Sequence, residues 1–343
     1  MQRRIMMKEH AWFVCLALLV GLVLGSGPVL AEEPLAQLNF GVIPTESTAN
    51  MSQGFEPFRA DMEKALGIPV KLFFASDYAG IIEGMRFNKV QVAWFGNKSA
   101  IEAVNRAQGE VFAQTVDVEG NPGYWSLIVV HKDSPYHSIE DIIRDGKKLT
   151  FGNGDPNSTS GYLIPTYYLW AQRHIDPVKY FKVVRSANHE TNLMAVANKQ
   201  VDFATNNTEN LSKAAKTHPE AVNNLRVIWK SPLIPSDPLV WRKDLPKEWK
   251  SRIKGFILAY GRFGQNKAHE LEVLRGMSSG WAPFLDSSNL QLLPIMEINI
   301  AKDKMKIEGS DAYSAADKAQ KLAEIDHQLG EIRSYNQLLA KFN

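Results

Sequence analysis

Phe151-Gly152-Asn153-Gly154-Asp155-Pro156-Asn157-Ser158-Thr159-Ser160-Gly161 is the stretch that decides how this chain is read. An apolar run over residues 149–151 leads into it, and Tyr162-Leu163-Ile164-Pro165-Thr166-Tyr167-Tyr168-Leu169-Trp170 follows. The pattern predicts a strand, a Gly/Asn/Asp/Pro loop, and a helix over 158–174 opened by three hydroxyl residues. The first N–H groups of a helix lack intrahelical partners and carry partial positive charge. Hydroxyls on that turn add donors, so the site suits a phosphate-like oxyanion. No Gly-Lys-Ser/Thr follows, which excludes a Walker A loop, and the glycine spacing is not G-x-G-x-x-G. On these residues alone, ordinary N-capping by Ser158 is the alternative.

Outward from this stretch, strands and helices alternate. Strands are expected at 38–43, 70–74, 90–95 and 111–116, with helices at 55–66, 77–87 and 98–107 between them. A second series places strands at 124–131, 149–151, 181–184, 201–205 and 225–229, with helices at 139–143, 158–174, 189–199 and 208–215. A strand at 239–241 and a helix at 249–263 follow. Near-continuous apolar strands alternating with helices indicate α/β sheets covered on both faces. Two breaker-rich runs, Asp117-Val118-Glu119-Gly120-Asn121-Pro122-Gly123 and Ser231-Pro232-Leu233-Ile234-Pro235-Ser236-Asp237-Pro238, bracket a middle segment of domain size. The expected organisation is two lobes with the chain crossing between them twice. Residues 32–122 and 237–310 form one lobe, 123–236 the other, and 311–343 a helical tail. In the tail, Leu322, Ile325, Leu329 and Ile332 recur at three- and four-residue steps, continuing through Asn336 and Leu339. That seam suits packing on the chain's own lobe, with a homodimer through the same helix as the alternative.

Residues 1–31 read as a secretory signal peptide. Arg3, Arg4 and Lys8 precede an apolar core over 11–24, and Val29-Leu30-Ala31 places small residues before Glu32, so cleavage is expected after Ala31. Cys15, the one cysteine of the 343 residues, leaves with that segment, and a domain of this size can be stable without disulfides. Setting the segment aside removes three basic residues against Glu9 and leaves basic and acidic residues equal in number. No bulk field then draws nucleic acid or an anionic membrane, and an anion has to be captured locally.

Several stretches together resemble the phosphonate-binding periplasmic proteins of ABC transporters. They are Asp77-Tyr78-Ala79-Gly80-Ile81-Ile82, Gly84-Met85-Arg86-Phe87-Asn88-Lys89-Val90, Pro122-Gly123-Tyr124-Trp125-Ser126, the opening loop, His189-Glu190-Thr191-Asn192, Ala204-Thr205-Asn206-Asn207-Thr208-Glu209-Asn210, and Gly280-Trp281-Ala282-Pro283-Phe284. The resemblance runs to about residue 290. It implies a type II two-lobed binding fold, each lobe a mixed sheet flanked by helices, with no catalysis and no cofactor. Its expected partners are a phosphonate ligand and a membrane permease, and its expected place is the periplasm. It also implies that Ser158, Thr159, Ser160 and His189, with Tyr78 and Tyr124, cradle the phosphonate. Glu209 and Asp237 take the ammonium when the ligand is 2-aminoethylphosphonate.

The residue chemistry stands beside this reading. Hydroxyls and N–H groups hold a tetrahedral oxyanion without a cation. Taken singly, His189 reads as a surface cap, Tyr124 as a buried strand residue, Glu209 as a helix-dipole partner and Asp237 as a turn residue. Two other functions compete: a receptor of the same fold for phosphate, phosphite or another small oxyanion, and a phosphate-ester hydrolase. The hydrolase needs metal carboxylates or an activated nucleophile. The eight histidines form no H-E-x-x-H pair, and Ser158 has no evident base apart from His189, to which the resemblance gives a binding role.

Overall fold

The computed structural model describes residues 35–339 and 341, so the signal-peptide reading of 1–31 lies outside the described residues. The strands are β1 (Leu38–Val42), β2 (Val70–Phe73), β3 (Val92–Trp94), β4 (Gly109–Asp117), β5 (Gly123–Tyr124), β6 (Ser126–His131), β7 (Thr150–Asn153), β8 (Val183–Ser186), β9 (Phe203–Asn207), β10 (Leu225–Lys230), β11 (Ile234–Pro235), β12 (Pro238–Arg242) and β13 (Trp281–Asp286). They make a six-stranded sheet in the order β13-β4-β12-β3-β1-β2 and a five-stranded sheet in the order β10-β6-β9-β7-β8. Both are mixed. β1 is parallel to β2 and β3, while β12 and β13 run antiparallel to their neighbours. β7 is parallel to β8 and β9, and β6 is antiparallel to both β9 and β10. A two-stranded ribbon of β5 against β11 lies where the chain passes between the sheets.

The helices bury apolar stripes on these sheets. The first, Thr48–Leu66, starts earlier than its apolar spacing suggests because Ser47 caps it, accepting a bond from the Asn50 N–H at 3.3 Å. It buries Met51, Phe55, Phe58 and Met62. Phe55 stacks on Trp94, and Phe58 meets Tyr260 edge-on at 5.2 Å. In the other lobe Phe151 stacks on Phe203 with ring centres 4.5 Å apart, and Trp170 and Phe181 close the cluster. Each such aromatic buries a large area and dominates its core.

Several expected elements differ. The strand expected at 124–131 is two strands broken at Trp125, which puts Tyr124 in the ribbon and not in the main sheet. β13 carries Pro283, a residue expected only at an edge or a bulge. It is indeed an edge strand, with a register shift between Ala282 and Leu285. The helices Lys267–Gly276 and Leu293–Glu308 were not expected. The tail helix, Ala315–Leu339, buries Leu329 and Ile332. It packs against Leu293–Glu308 in the same chain, where Arg333 and Asn336 both bind Glu297.

The opening loop is held by close backbone approach. β7 extends through Gly152 and Asn153, and the Gly154 N–H donates to the Gly161 carbonyl at 3.0 Å. A Cβ at residue 154 would lie 2.5 Å from the Gly161 backbone. Gly154→Ala is therefore expected to cost about 1–3 kcal/mol, as overpacking does. Chemical denaturation of the unliganded protein checks this, and an unchanged midpoint would refute the tight approach.

Candidate functional site

All six parallel strands point their carboxyl ends at one cavity. Ile43, Thr45 and Glu46 follow β1, Tyr78 follows β2, and Gly96 follows β3. Ser158, Thr159 and Ser160 follow β7, His189 follows β8, and Glu209 follows β9. Open α/β sheets bind ligands outside such strand ends. Here two sheets do so face to face. All eight residues named in the sequence, Tyr78, Tyr124, Ser158, Thr159, Ser160, His189, Glu209 and Asp237, line this cavity. Its volume is about 20 Å³, where one water needs roughly 10–15 Å³. Only a compact ligand fits.

The hydroxyl wall is organised by protein donors. The backbone from 159 to 173 is helical, with wide π turns at Thr159–Leu163 and Thr166–Trp170, a form that recurs at functional sites. Ser158 caps it, its Oγ accepting from the Gly161 N–H at 3.0 Å. Thr159 Oγ1 accepts from the Lys98 N–H at 2.9 Å, across the cleft. Ser160 Oγ accepts from Asn207 Nδ2 at 3.0 Å. Each hydroxyl thus already accepts one N–H and keeps its own hydrogen to give. Asn207 is oriented by its capping role, with Oδ1 accepting from the Asn210 N–H at 2.7 Å. Its Nδ2 therefore also faces His189 Nε2 as a donor, at 3.3 Å. That leaves the neutral ring's proton on Nδ1, a buried atom with no protein partner. Burial lowers the His189 pKa from 6.5 to about 4.

The opposite wall is acidic. Tyr124 Oη donates to Asp237 Oδ1 at 2.9 Å, and Asn97 Nδ2 reaches the same oxygen at 3.4 Å. Burial pushes Asp237 up to about 7, partly offset by the Tyr124 hydroxyl. Glu209 is half-buried at the start of the Thr208–Thr217 helix. Desolvation and the nearby Asp237 charge hold it well above the usual carboxylate range. Burial first, and nearby acids second, raise both phenols, Tyr78 and Tyr124. Two carboxylates in a dry pocket without a protein cation between them are costly. A cation bound there would relieve that cost.

Sequence reasoning missed Glu46, Trp94, Asn207, Asn210 and Lys213, which also line the cavity. Asn207 left a signal, since Asn206-Asn207 precedes Thr208-Glu209 as a helix cap should. Glu46 and Lys213 left none, because their pairing is between distant segments. Asn210 Oδ1 is buried without a partner, as His189 Nδ1 is.

Two mixed sheets joined by a short ribbon, with one small polar cavity between their strand ends, define a type II solute receptor. Residues 40–290 match the family described as ABC transporter, phosphonate, periplasmic substrate-binding protein. The chain belongs to that family. It is 51% identical over 313 residues to the phosphonates-binding periplasmic protein of Escherichia coli (strain K12), covering 91% of this chain and 90% of that one. A binding protein component of an ABC phosphonate transporter from Pseudomonas aeruginosa superposes with a TM-score of 0.84 at 48% identity, covering 90% of this chain and 99% of its own. The fold is also that of a Prochlorococcus marinus (MIT 9301) protein solved in complex with methylphosphonate, with a TM-score of 0.67 and 24% identity over 78% of this chain and 98% of that one. The protein is accordingly a periplasmic phosphonate-binding receptor of an ABC transporter, a binding protein and not an enzyme.

Proposed function

We propose that this receptor takes aminoalkylphosphonates, 2-aminoethylphosphonate among them, and delivers them to an ABC importer. Ser158, Thr159, Ser160 and the His189 Nδ1–H give hydrogen bonds to the phosphonate oxygens, with Tyr78 and Tyr124 beside them. Glu209 and Asp237 receive the ammonium. The observation that carries this reading is the pairing of walls. Three hydroxyls, each accepting one protein N–H and keeping its own hydrogen to give, face two carboxyl groups whose pKa values burial raises. Phosphate or phosphite would meet the same hydroxyls but leave both acids unpaired. Micromolar binding needs about −8 kcal/mol, and several charge-assisted bonds at roughly 1.5–3 kcal/mol each supply it against ordering costs. Export with cleavage after Ala31 completes the proposal, and mass measurement of the periplasmic protein checks it.

Calorimetry on protein lacking residues 1–31 tests the ligand. 2-Aminoethylphosphonate is expected to bind at least about tenfold more tightly than methylphosphonate, phosphate or phosphite. Equal affinity for phosphate and 2-aminoethylphosphonate would remove the ammonium role. Absence of binding to all four would remove the reading altogether.

A further inference from the structure

The cavity adjoins two further spaces, with which it shares lining residues. Beyond it lies a constriction, lined by Glu46, Asn50, Trp94, Lys213 and Ser278, whose open volume is about 0 Å³. Outside that is a basin of about 600 Å³, with Lys213, Lys216, His269 and Arg275 on its walls and Glu272 among them. Lys213 lines all three spaces, and Glu46 lines the inner two. Lys213 lies one helical turn beyond Glu209, so the two share a face. Its Nζ stands 3.9 Å from Glu46 Oε2, and Glu46 comes from the loop after β1 on the other side of the cleft. Glu46 is 7% exposed. Near it are also Glu190 and His218. Glu190 is occupied elsewhere, accepting from the Ser47 N–H and Asn50 Nδ2, and His218 Nε2 is 3.3 Å from it. Lys213 therefore has Glu46 as its partner at the constriction.

We infer that the Glu46–Lys213 pair is a specificity gate, setting both the length and the charge of the ligand beyond its amine. This rests on the aminoalkylphosphonate reading of the inner cavity. With the pair closed, a longer chain has no volume to enter. A carboxylate on the ligand finds Lys213, the cation lining the constriction, already neutralised by Glu46 and meets a repelling acid beside it. Removing Glu46 clears the passage and leaves Lys213 Nζ free to pair with a ligand carboxylate. Removing Lys213 clears the passage and supplies no cation. The basic outer basin favours an anion's approach in either case.

The experiment is calorimetry of wild type, Glu46→Ala and Lys213→Ala with three probes: 2-aminoethylphosphonate, 3-aminopropylphosphonate and 2-amino-3-phosphonopropionate. In Glu46→Ala, the carboxylate-bearing probe should gain about tenfold or more relative to 2-aminoethylphosphonate. In Lys213→Ala, the longer amine should gain relative to 2-aminoethylphosphonate and the carboxylate-bearing probe should not. Wild-type ratios retained in both variants would overturn the gate. Should Glu46→Ala fail to fold, the ratio of the two amines in Lys213→Ala decides by itself. Wild type binding none of the probes would overturn the cavity reading, a result distinct from unchanged ratios.

Discussion

Asp237→Asn is expected to weaken 2-aminoethylphosphonate by roughly ten- to a hundred-fold while sparing methylphosphonate. The substitution keeps the local scaffold, since an amide oxygen still accepts from Tyr124 Oη and Asn97 Nδ2. What it removes is charge, and it turns one acceptor toward the cavity into a donor. A hydrogen bond to a charged group contributes about 1.5–3 kcal/mol, which sets the size of the loss. Methylphosphonate has no ammonium to lose. It also meets less repulsion, because neutralising Asp237 removes one of the charges that burial already disfavours. Its affinity should hold or tighten. Calorimetry with both ligands reads the difference, and equal weakening of the two would place Asp237 in the scaffold alone.

Acidification should pull the stability of the unliganded protein in two directions at once. His189 is neutral when folded down to about pH 4, while the unfolded chain protonates near 6.5. Between those values the unfolded state binds the extra proton, so the neutral ring's contribution is full above 6.5 and is lost as pH falls toward 4. The amount is about 3 kcal/mol. Asp237 acts oppositely. Folded, it holds its proton up to about pH 7, whereas its ordinary value is 3.8. Its contribution is full below 3.8 and is lost as pH rises through 7, by a similar amount. The two trends oppose each other, and the variants separate them. His189→Gln should gain stability relative to wild type as pH drops from 7 to 4, and Asp237→Asn should lose it. Denaturation midpoints across that range measure both, and the Asp237→Asn difference includes the coupled response of Glu209. Parallel profiles for all three proteins would contradict the burial of these groups. A phosphonate beside His189 should raise its pKa again, so methylphosphonate binding near pH 6 is expected to take up protons, seen as buffer-dependent heats.

The alternation of strands and helices was legible because buried parallel strands leave unbroken apolar runs, as in residues 38–43 and 201–205. The elements that escaped notice lack that mark. β11 is two residues long and ends in Pro235, and β13 is interrupted by Pro283 at its bulge. The Leu293–Glu308 helix faces several neighbours and buries only Leu293 and Ile295 fully, so it presents no clean stripe. The site divides in the same way. Ser158, Thr159 and Ser160 announce themselves through a loop followed by hydroxyls at a helix start. Tyr124, Glu209 and Asp237 have ordinary local readings, and their convergence follows from the order of strands in two sheets. Glu46 and Lys213 are further still from local pattern, being 167 positions apart and joined only where the two sheets face each other.

Both covalent passages between the sheets run through the ribbon in which Ile234 opposes Tyr124 and Pro235 opposes Gly123. A side-chain carbon at residue 123 would fall 1.9 Å from the Ile234 oxygen, so the two passages lie against each other as a single short axle. With one axle, the relative movement of the lobes reduces largely to an angle. Tyr124 is on the axle and Asp237 is two residues beyond it, so on the proposed reading the ammonium end of a ligand would pull close to the pivot. The phosphonate end would pull at Ser158, Thr159 and Ser160, which follow β7 in the other sheet. A permease docking across both lobes then has one quantity to sense, and a ligand that touches only one wall leaves that quantity unset.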